Sequence, residues 1–245
     1  MLKHLRVFIF MILVLFQVIV FGTFFTIVNG FNSKFHQYQK KYMYIIYLYI
    51  LNCKINVNNK VGYDDTKKYI IMSNHYTALD YFALNTIFPN SLTVVKNDLL
   101  SQRNDSNLSV NLVNRVSYLF FKIGMLITYI RGNAKSGEDC KKNIIKNIPY
   151  HNIILFPEGT SSKEGIPKKF KNGIFHLCKD KHIPVLLCSL KYDKNIGVNP
   201  NGKFQLTDWV DTTLNINVLS EVNPPEFESV EKLVNYSFNT IVNEL

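Results

Sequence analysis

Six short apolar runs punctuate the chain: Tyr69–Met72, Leu92–Val95, Ile127–Ile130, Ile153–Phe156, Val185–Leu190 and Leu214–Leu219. Each has the length and apolar content of a buried β-strand. Longer stretches with helical patterning lie between several of them, notably Leu108–Lys122, Ser136–Ile148, Lys171–Lys179 and Val230–Glu244. Such alternation predicts an α/β fold, a single domain with a mixed, mainly parallel sheet flanked by helices. The 245 residues suffice for one good core of this kind and for a membrane segment besides. Ser136 reads as a helix cap, followed by Glu138 and Asp139, which the helix dipole favours. Asp193–Gly202, rich in Asn and Gly, reads as a surface loop. Pro224-Pro225 breaks the chain ahead of the last helix, with Glu228 or Ser229 near its start.

The first 55 residues differ in character. From Leu5 to Val28 the sequence is almost uninterruptedly apolar and carries no charge after Arg6. That is long enough to cross a hydrocarbon core of about 30 Å. A cleaved secretory signal is the competing reading, but the run is too long and lacks a small-x-small cleavage site. Residues 1–55 are therefore read as an N-terminal transmembrane or interfacial helical segment, and 56–245 as the α/β domain. Lys34, Lys40 and Lys41 outnumber Lys3 and Arg6, which by the positive-inside tendency places the domain on the cytosolic side of its membrane. Tyr42–Leu51 is too short to span. Its tyrosines suit a headgroup region, giving an interfacial helix, and the alternative is a helix buried against the sheet. A net charge of +10 points to anionic lipid surfaces and anionic substrates. Nucleic acid is not an expected partner, because the lysines are dispersed and no binding motif accompanies them.

The chemistry concentrates at two strand ends. After Tyr69–Met72 comes Ser73-Asn74-His75-Tyr76-Thr77-Ala78-Leu79-Asp80, then a helix-like stretch. Residues five apart on one helix do not face each other. A strand–turn–helix break, however, lets the Asp80 carboxylate reach one ring nitrogen of His75 and leaves the other as a proton acceptor. Leu155–Ser162 feeds a second strand into a Pro157-Glu158-Gly159 turn, which puts one carboxylate and free backbone N–H groups at a strand tip. A third candidate strand, Gly124–Ile130, ends in Arg131, a side chain suited to a phosphate. His182–Cys188, with Pro184, begins a fourth.

These blocks, in this order over roughly residues 65–195, resemble the glycerolipid acyltransferase family, which includes lysophosphatidic acid and glycerol-3-phosphate acyltransferases. Its pattern is N-H-x4-D, G-x-x-F-x-x-R, F-P-E-G-T and an apolar block with a central proline. The resemblance implies that His75 takes the proton of an acceptor hydroxyl, which attacks an acyl-CoA thioester, while Asp80 holds the imidazole. It also implies substrate-binding roles for Asn74, Glu158, Gly159 and Thr160, a phosphate contact for Arg131 and an acyl-site role for Pro184. Acyl-CoA is then a co-substrate, and no cofactor or metal is expected. No enzyme nucleophile is needed, and the chain has no G-x-S-x-G elbow.

The chain departs from the pattern in three places. Gly124 and Arg131 are one residue further apart than usual, Thr128 stands where Phe is common, and Ser161 replaces an arginine found in many lysophosphatidic acid enzymes. Lys163, Lys168, Lys169 and Lys171 could compensate for that arginine or form a solvated basic loop. The expected activity is membrane-bound transfer of an acyl group to a lysophospholipid, foremost 1-acyl-glycerol-3-phosphate. Alternatives are a glycerol-3-phosphate or head-group-bearing acceptor, CoA-independent transacylation, or a non-catalytic lipid-binding scaffold.

The remaining features argue for nothing else. Cys53, Cys140, Cys178 and Cys188 lack C-x-x-C spacing and read as reduced residues. His176 and Cys178 have no second ligand pair. Gly132 and Gly137 have phosphate-loop spacing, but Glu138 stands where that loop needs lysine. The Asn-x-Ser/Thr triplets at Asn104, Asn107 and Asn235 are read as coincidence in an Asn-rich chain.

Overall fold

A computed structural model of the chain describes residues 1–17, 34–96, 126–130, 132–162, 166–196 and 205–245, with 34–40 as backbone alone. In chain order the elements are α1 (Leu2–Phe16), α2 (Lys34–Ile50), β1 (Lys54–Asn59), β2 (Ile70–Ser73), α3 (Leu79–Ile87), β3 (Ser91–Lys96), β4 (Leu126–Tyr129), α4 (Ala134–Asn147), β5 (Asn152–Leu155), α5 (Gly173–Asp180), β6 (Val185–Tyr192), β7 (Thr213–Val222) and α6 (Val230–Val242). All six expected strands form, with ends shifted by up to three residues. The strand β1 was not foreseen. The expected helix Leu108–Lys122 and residues 197–202 of the expected loop lie outside the described residues.

The strands make one seven-stranded sheet in the order β1-β7-β6-β2-β5-β3-β4. Every neighbouring pair is parallel except β6 and β7, which run antiparallel with a bulge between Leu187 and Cys188. β2 and β5 are buried on both faces, which is why their sequences are unbroken apolar runs rather than alternating ones. On one face α4, α5 and α6 cover Ile70, Met72, Ile153, Val185 and Leu187. On the other, Ala83 and Leu84 of α3 and Phe88 just after it pack on Ile71, Ile154, Leu186, Cys188 and Ile216.

The N-terminal helices extend the second layer. Tyr44, Tyr47, Leu48 and Leu51 follow the i, i+3, i+4, i+7 spacing of one helix face, and all are buried against Phe10, Val14, Leu79, Phe82 and Trp209. The Tyr44 and Tyr81 hydroxyls are 2.8 Å apart, and the Tyr47 hydroxyl donates to the Gln17 side-chain oxygen. Arg6 donates to the carbonyl of Ile50 at 3.0 Å, supplying one of the acceptors at the C-terminus of α2 with a partner. The opposite face of α2, with Tyr42, Ile45, Ile46 and Tyr49, is exposed, so the helix is buried on one side only. Among the described residues no helix is long and apolar enough to cross a membrane. Residues 18–28 of the expected span lie outside them.

Two capping expectations resolve differently. Asn133, not Ser136, caps α4: its side chain accepts from the Ser136 N–H at 2.9 Å, while the Ser136 hydroxyl accepts from the Ile130 N–H at 2.8 Å. Ser136 thus ties the helix to the end of β4 rather than starting it. Ser229 does cap α6, accepting from the Lys232 N–H. All four cysteines are buried and unpaired.

Candidate active site

The chain leaves β2 for β3 on one side and leaves β5 for β6 on the other, although β2 and β5 are neighbours. The helices that follow them, α3 and α5, lie on opposite faces of the sheet, and such an arrangement opens a crevice beyond the carboxyl ends of the two strands, where open α/β sheets bind ligands. Met72 pairs with Leu155 and with Leu187. Just past the ends of β2 and β5 the chain brings His75 and Glu158 together.

His75 is fixed from several directions. Its backbone N–H donates to Glu158 Oε1 at 2.8 Å, and its carbonyl accepts from the Ser162 N–H at 2.7 Å and the Ser162 hydroxyl at 3.1 Å. The imidazole stacks on Phe156 with centroids 4.1 Å apart and planes at 16°. Nδ1 lies 2.8 Å from Asp80 Oδ2. The ring keeps 23% of its surface exposed, and Nε2 has no hydrogen bond among the described residues. That is the arrangement of a base with one nitrogen oriented and the other available to a substrate.

Asp80 is the second residue of α3, where the helix dipole favours a carboxylate, and its side chain is fully buried. Oδ2 also accepts from the N–H groups of Tyr76 and Thr77 at 2.7 and 3.0 Å, and Oδ1 accepts from the Tyr192 hydroxyl at 2.5 Å. These donors offset the cost of burying the carboxylate. The Thr77 hydroxyl accepts from the Trp209 indole N–H at 3.0 Å, which anchors the turn between β2 and α3.

Glu158 joins the two motif loops. Besides the His75 N–H it accepts the Lys168 N–H at 2.7 Å, so both oxygens are engaged by backbone in a buried position. Burial pushes its carboxyl above the usual range, an effect opposed by the two N–H donors. Gly159 follows with a φ of +66°, a conformation glycine adopts without strain. A Cβ there would stand 2.9 Å from Lys171 Nζ and 3.4 Å from the Tyr129 hydroxyl. The missing side chain lets an ammonium and a phenol close on the turn. Lys171 is held there by its own N–H, which donates to the carbonyl of Pro157 at 2.9 Å.

The other expected site residues fall out as follows. Asn74 is fully buried, and its amide both donates to the Leu190 carbonyl and accepts from the Leu190 N–H, each at 2.8 Å. It continues the β2–β6 ladder by one more pair, and its polar atoms are committed to backbone. Thr160 is partly exposed in the turn beside Gly159. Pro184 stands one residue before β6, where its carbonyl accepts from Ile70, at the opposite end of the strands from His75. Six residues of strand separate those levels, about 20 Å, so the structure does not bring Pro184 to the crevice. Arg131 and Lys163 lie outside the described residues.

Tyr192, Ser162 and Trp209 were not singled out from the sequence. Ser162 sat within the quoted motif, but Tyr192 and Trp209 carry no local signal, being 112 and 132 residues from the side chains they bond.

The chain is similar to several known acyltransferases. A putative 1-acyl-sn-glycerol-3-phosphate acyltransferase of Caenorhabditis elegans is 25% identical over 190 residues, covering 75% of this chain and 64% of its own. The 1-acyl-sn-glycerol-3-phosphate acyltransferase of Saccharomyces cerevisiae is 31% identical over 126 residues, which make up 49% of this chain and 37% of the yeast protein. The chain thus spans between about a third and two thirds of these relatives' lengths. The crystal structure of the 1-acyl-sn-glycerophosphate acyltransferase PlsC from Thermotoga maritima superposes with a TM-score of 0.66 over 99% of this chain and 95% of that one, at 17% identity, which establishes a shared fold. The Acyltransferase family model matches residues 54–191, the stretch that holds His75, Asp80 and the Pro-Glu-Gly turn. More than half of the chain falls within that match, and the protein is a member of the glycerolipid acyltransferase family.

Proposed function

We propose that the protein moves a fatty acyl group from acyl-CoA to a lysophospholipid at a membrane surface, with 1-acyl-glycerol-3-phosphate as its foremost acceptor and phosphatidic acid as product. The observation that carries this reading is the His75–Asp80 pair, held at the β2–β5 crevice with Nε2 available. His75 accepts the proton of the acceptor hydroxyl as its oxygen attacks the thioester carbonyl. The tetrahedral intermediate collapses, the C–S bond breaks, and the imidazolium returns the proton to the departing CoA thiolate. Asp80 keeps the ring in the tautomer that makes both transfers possible.

Acceptor choice follows from charge near the turn. Ser161 occupies the position of an arginine common in lysophosphatidic acid enzymes, and the Lys171 ammonium at Gly159 offers the acceptor phosphate a cation instead. Lys171→Met should raise KM for 1-acyl-glycerol-3-phosphate by about tenfold or more with a smaller change in kcat, since a hydrogen bond to a charged group contributes roughly 1.5–3 kcal/mol. Steady-state kinetics over a range of acceptor concentrations checks it, and an unchanged KM refutes the assignment. The Ser161 departure also favours a second reading, a lysophospholipid whose phosphate carries a head group.

Membrane association rests on the N-terminal helices. Leu5, Phe8, Ile9, Ile12, Leu15 and Phe16 of α1 are exposed, as are Tyr42, Ile45, Ile46 and Tyr49 of α2. An apolar surface of this extent on a chain of net charge +10 fits an anionic bilayer, with the catalytic domain on the cytosolic side.

The test uses the full chain in anionic vesicles with labelled acyl-CoA and separate acceptors: 1-acyl-glycerol-3-phosphate, glycerol-3-phosphate and lysophosphatidylcholine. Labelled phosphatidic acid with one CoA thiol released per acyl transferred is the expected outcome. No CoA release with any acceptor overturns the reading, and acyl exchange between phospholipids without CoA replaces it with transacylation.

A further inference from the structure

The carboxylate that orients His75 is itself held from a part of the chain the family match does not reach. That match ends at residue 191. The next residue, Tyr192, is the last of β6, and its hydroxyl donates to Asp80 Oδ1 at 2.5 Å. The ring is set edge-on against Tyr76, with centroids 5.6 Å apart and planes at 88°, so its hydroxyl is aimed rather than free to swing. Oδ1 is the oxygen that does not touch the imidazole, while Oδ2 takes Nδ1 and two backbone N–H groups.

We propose that Tyr192 is a positioning residue for the transfer reaction, its hydroxyl drawing charge from Asp80 and thereby setting how strongly the carboxylate holds the imidazolium of His75. This rests on the reading of His75 as the general base. A carboxylate with its second oxygen capped by a phenol is a weaker partner for a cation than one with that oxygen bare. The base must be uncharged to accept the acceptor proton, and a carboxylate relieved of the phenol would hold the charged form of the ring more strongly.

The surrounding groups leave that role to the Tyr192–Asp80–His75 chain. Burial first, and then the Asp80 charge, hold the Tyr192 phenol well above its ordinary range, so it stays a donor. Cys53 faces Tyr192, with Asp193 and Lys194 acting on it in turn, and burial pushes its thiol up to about 12. Tyr76, raised by burial, adds no charge near neutrality. Among the described residues Glu158, on the turn after β5, is the other acid that bears on the pair, and its oxygens are held by the His75 and Lys168 N–H groups.

The experiment compares the full chain with Tyr192→Phe in two readouts. In acyl transfer, the acidic limb of the kcat/KM profile should move to higher pH by at least about half a unit, half of the roughly 1.4 kcal/mol that one unit represents, with KM for both substrates nearly unchanged. In NMR of ring-labelled protein, the His75 signals should move to a higher titration midpoint by a similar amount. The second readout needs no substrate, so loss of the acyl-CoA reading would leave it standing. Site-specific replacement of Tyr192 by 3-fluorotyrosine, a stronger donor of the same shape, should shift both readouts the other way, and it serves if the phenylalanine variant does not fold. Profiles and midpoints that coincide with the parent in either variant, or that move in the same direction in both, overturn the proposal.

Discussion

Alanine at position 75 is expected to lower acyl transfer by at least ~10²–10⁴-fold, the usual contribution of a positioned general base, while leaving a folded protein. Both halves of that expectation follow from the contacts. The imidazole keeps Nε2 without a hydrogen bond among the described residues, and the sequence has no G-x-S-x-G elbow to take over. The rest of the loop stays pinned without the ring. The Glu158 and Ser162 bonds run to the backbone of residue 75, and Asp80 retains the Tyr76, Thr77 and Tyr192 donors. What is lost is the stacking on Phe156 and one charge-assisted bond, on a side chain already partly exposed. CoA release measured with a thiol reagent, alongside thermal denaturation, separates loss of chemistry from loss of fold. Robust transfer by purified His75→Ala would remove the mechanism.

Glu158→Ala should do the opposite: damage the fold and the rate together. It removes the acceptor of two N–H groups, those of His75 and Lys168, from a buried position. Each unpaired donor costs roughly 1–3 kcal/mol, against a total domain stability of about 5–15 kcal/mol. The His75 backbone also loses one of its two loop partners, and a displacement of about 1 Å in a catalytic group can cost 10²-fold in rate. Glu158→Gln, with one oxygen left to accept, should fall between parent and alanine in both stability and kcat. A pH dependence separates it further. Burial raises the Glu158 carboxyl, so the folded chain holds that proton more tightly than the unfolded chain. The stability this supplies is fully present below the ordinary carboxylate range and is lost as pH rises through the raised value. The stability advantage of the parent over Glu158→Gln should therefore shrink as pH rises across the weakly acidic range. Melting temperatures of the two proteins over that range check it, and a constant or growing gap contradicts it.

Which parts of the site could be read from residues alone follows from distance along the chain. Asp80 is five residues from His75, and a turn between a strand and a helix is a local event, so the pair was legible. Tyr192 bonds the same carboxylate from 112 residues away and sits in a strand whose pattern says only that it is buried. Glu158 was expected to contact substrate, because the motif shows a carboxylate at a strand tip. Only the folded structure reveals that the two loops meet and that its oxygens face backbone. Asn74 is a similar case, with an amide that continues a ladder between β2 and β6.

In the fold, the buried strands announced themselves because both of their faces are covered. β1, Lys54–Asn59, did not. It is an edge strand with five exposed residues and only Ile55 half-buried, and three of its six residues are asparagine. Asn56 and Asn215 pair through their side chains at 2.9 Å across β1 and β7, a contact with no apolar signature at all.

The sheet also carries a consequence for how the molecule is made. β1 pairs with β7, joining residues 54–59 to 213–218, and β7 is the partner that links β1 to β6. During synthesis the ribosome releases the histidine loop long before it releases Tyr192, Trp209 and β7. A nascent chain halted near residue 190 would display the whole family signature, yet it would lack the phenol on Asp80, the indole on Thr77 and the seam that closes one side of the sheet. Long-range parallel pairing of this kind folds slowly and leaves strand edges bare in the interval. Chaperone demand should accordingly peak late in translation, and truncations near the C-terminal end of the fold should aggregate rather than yield a smaller working enzyme.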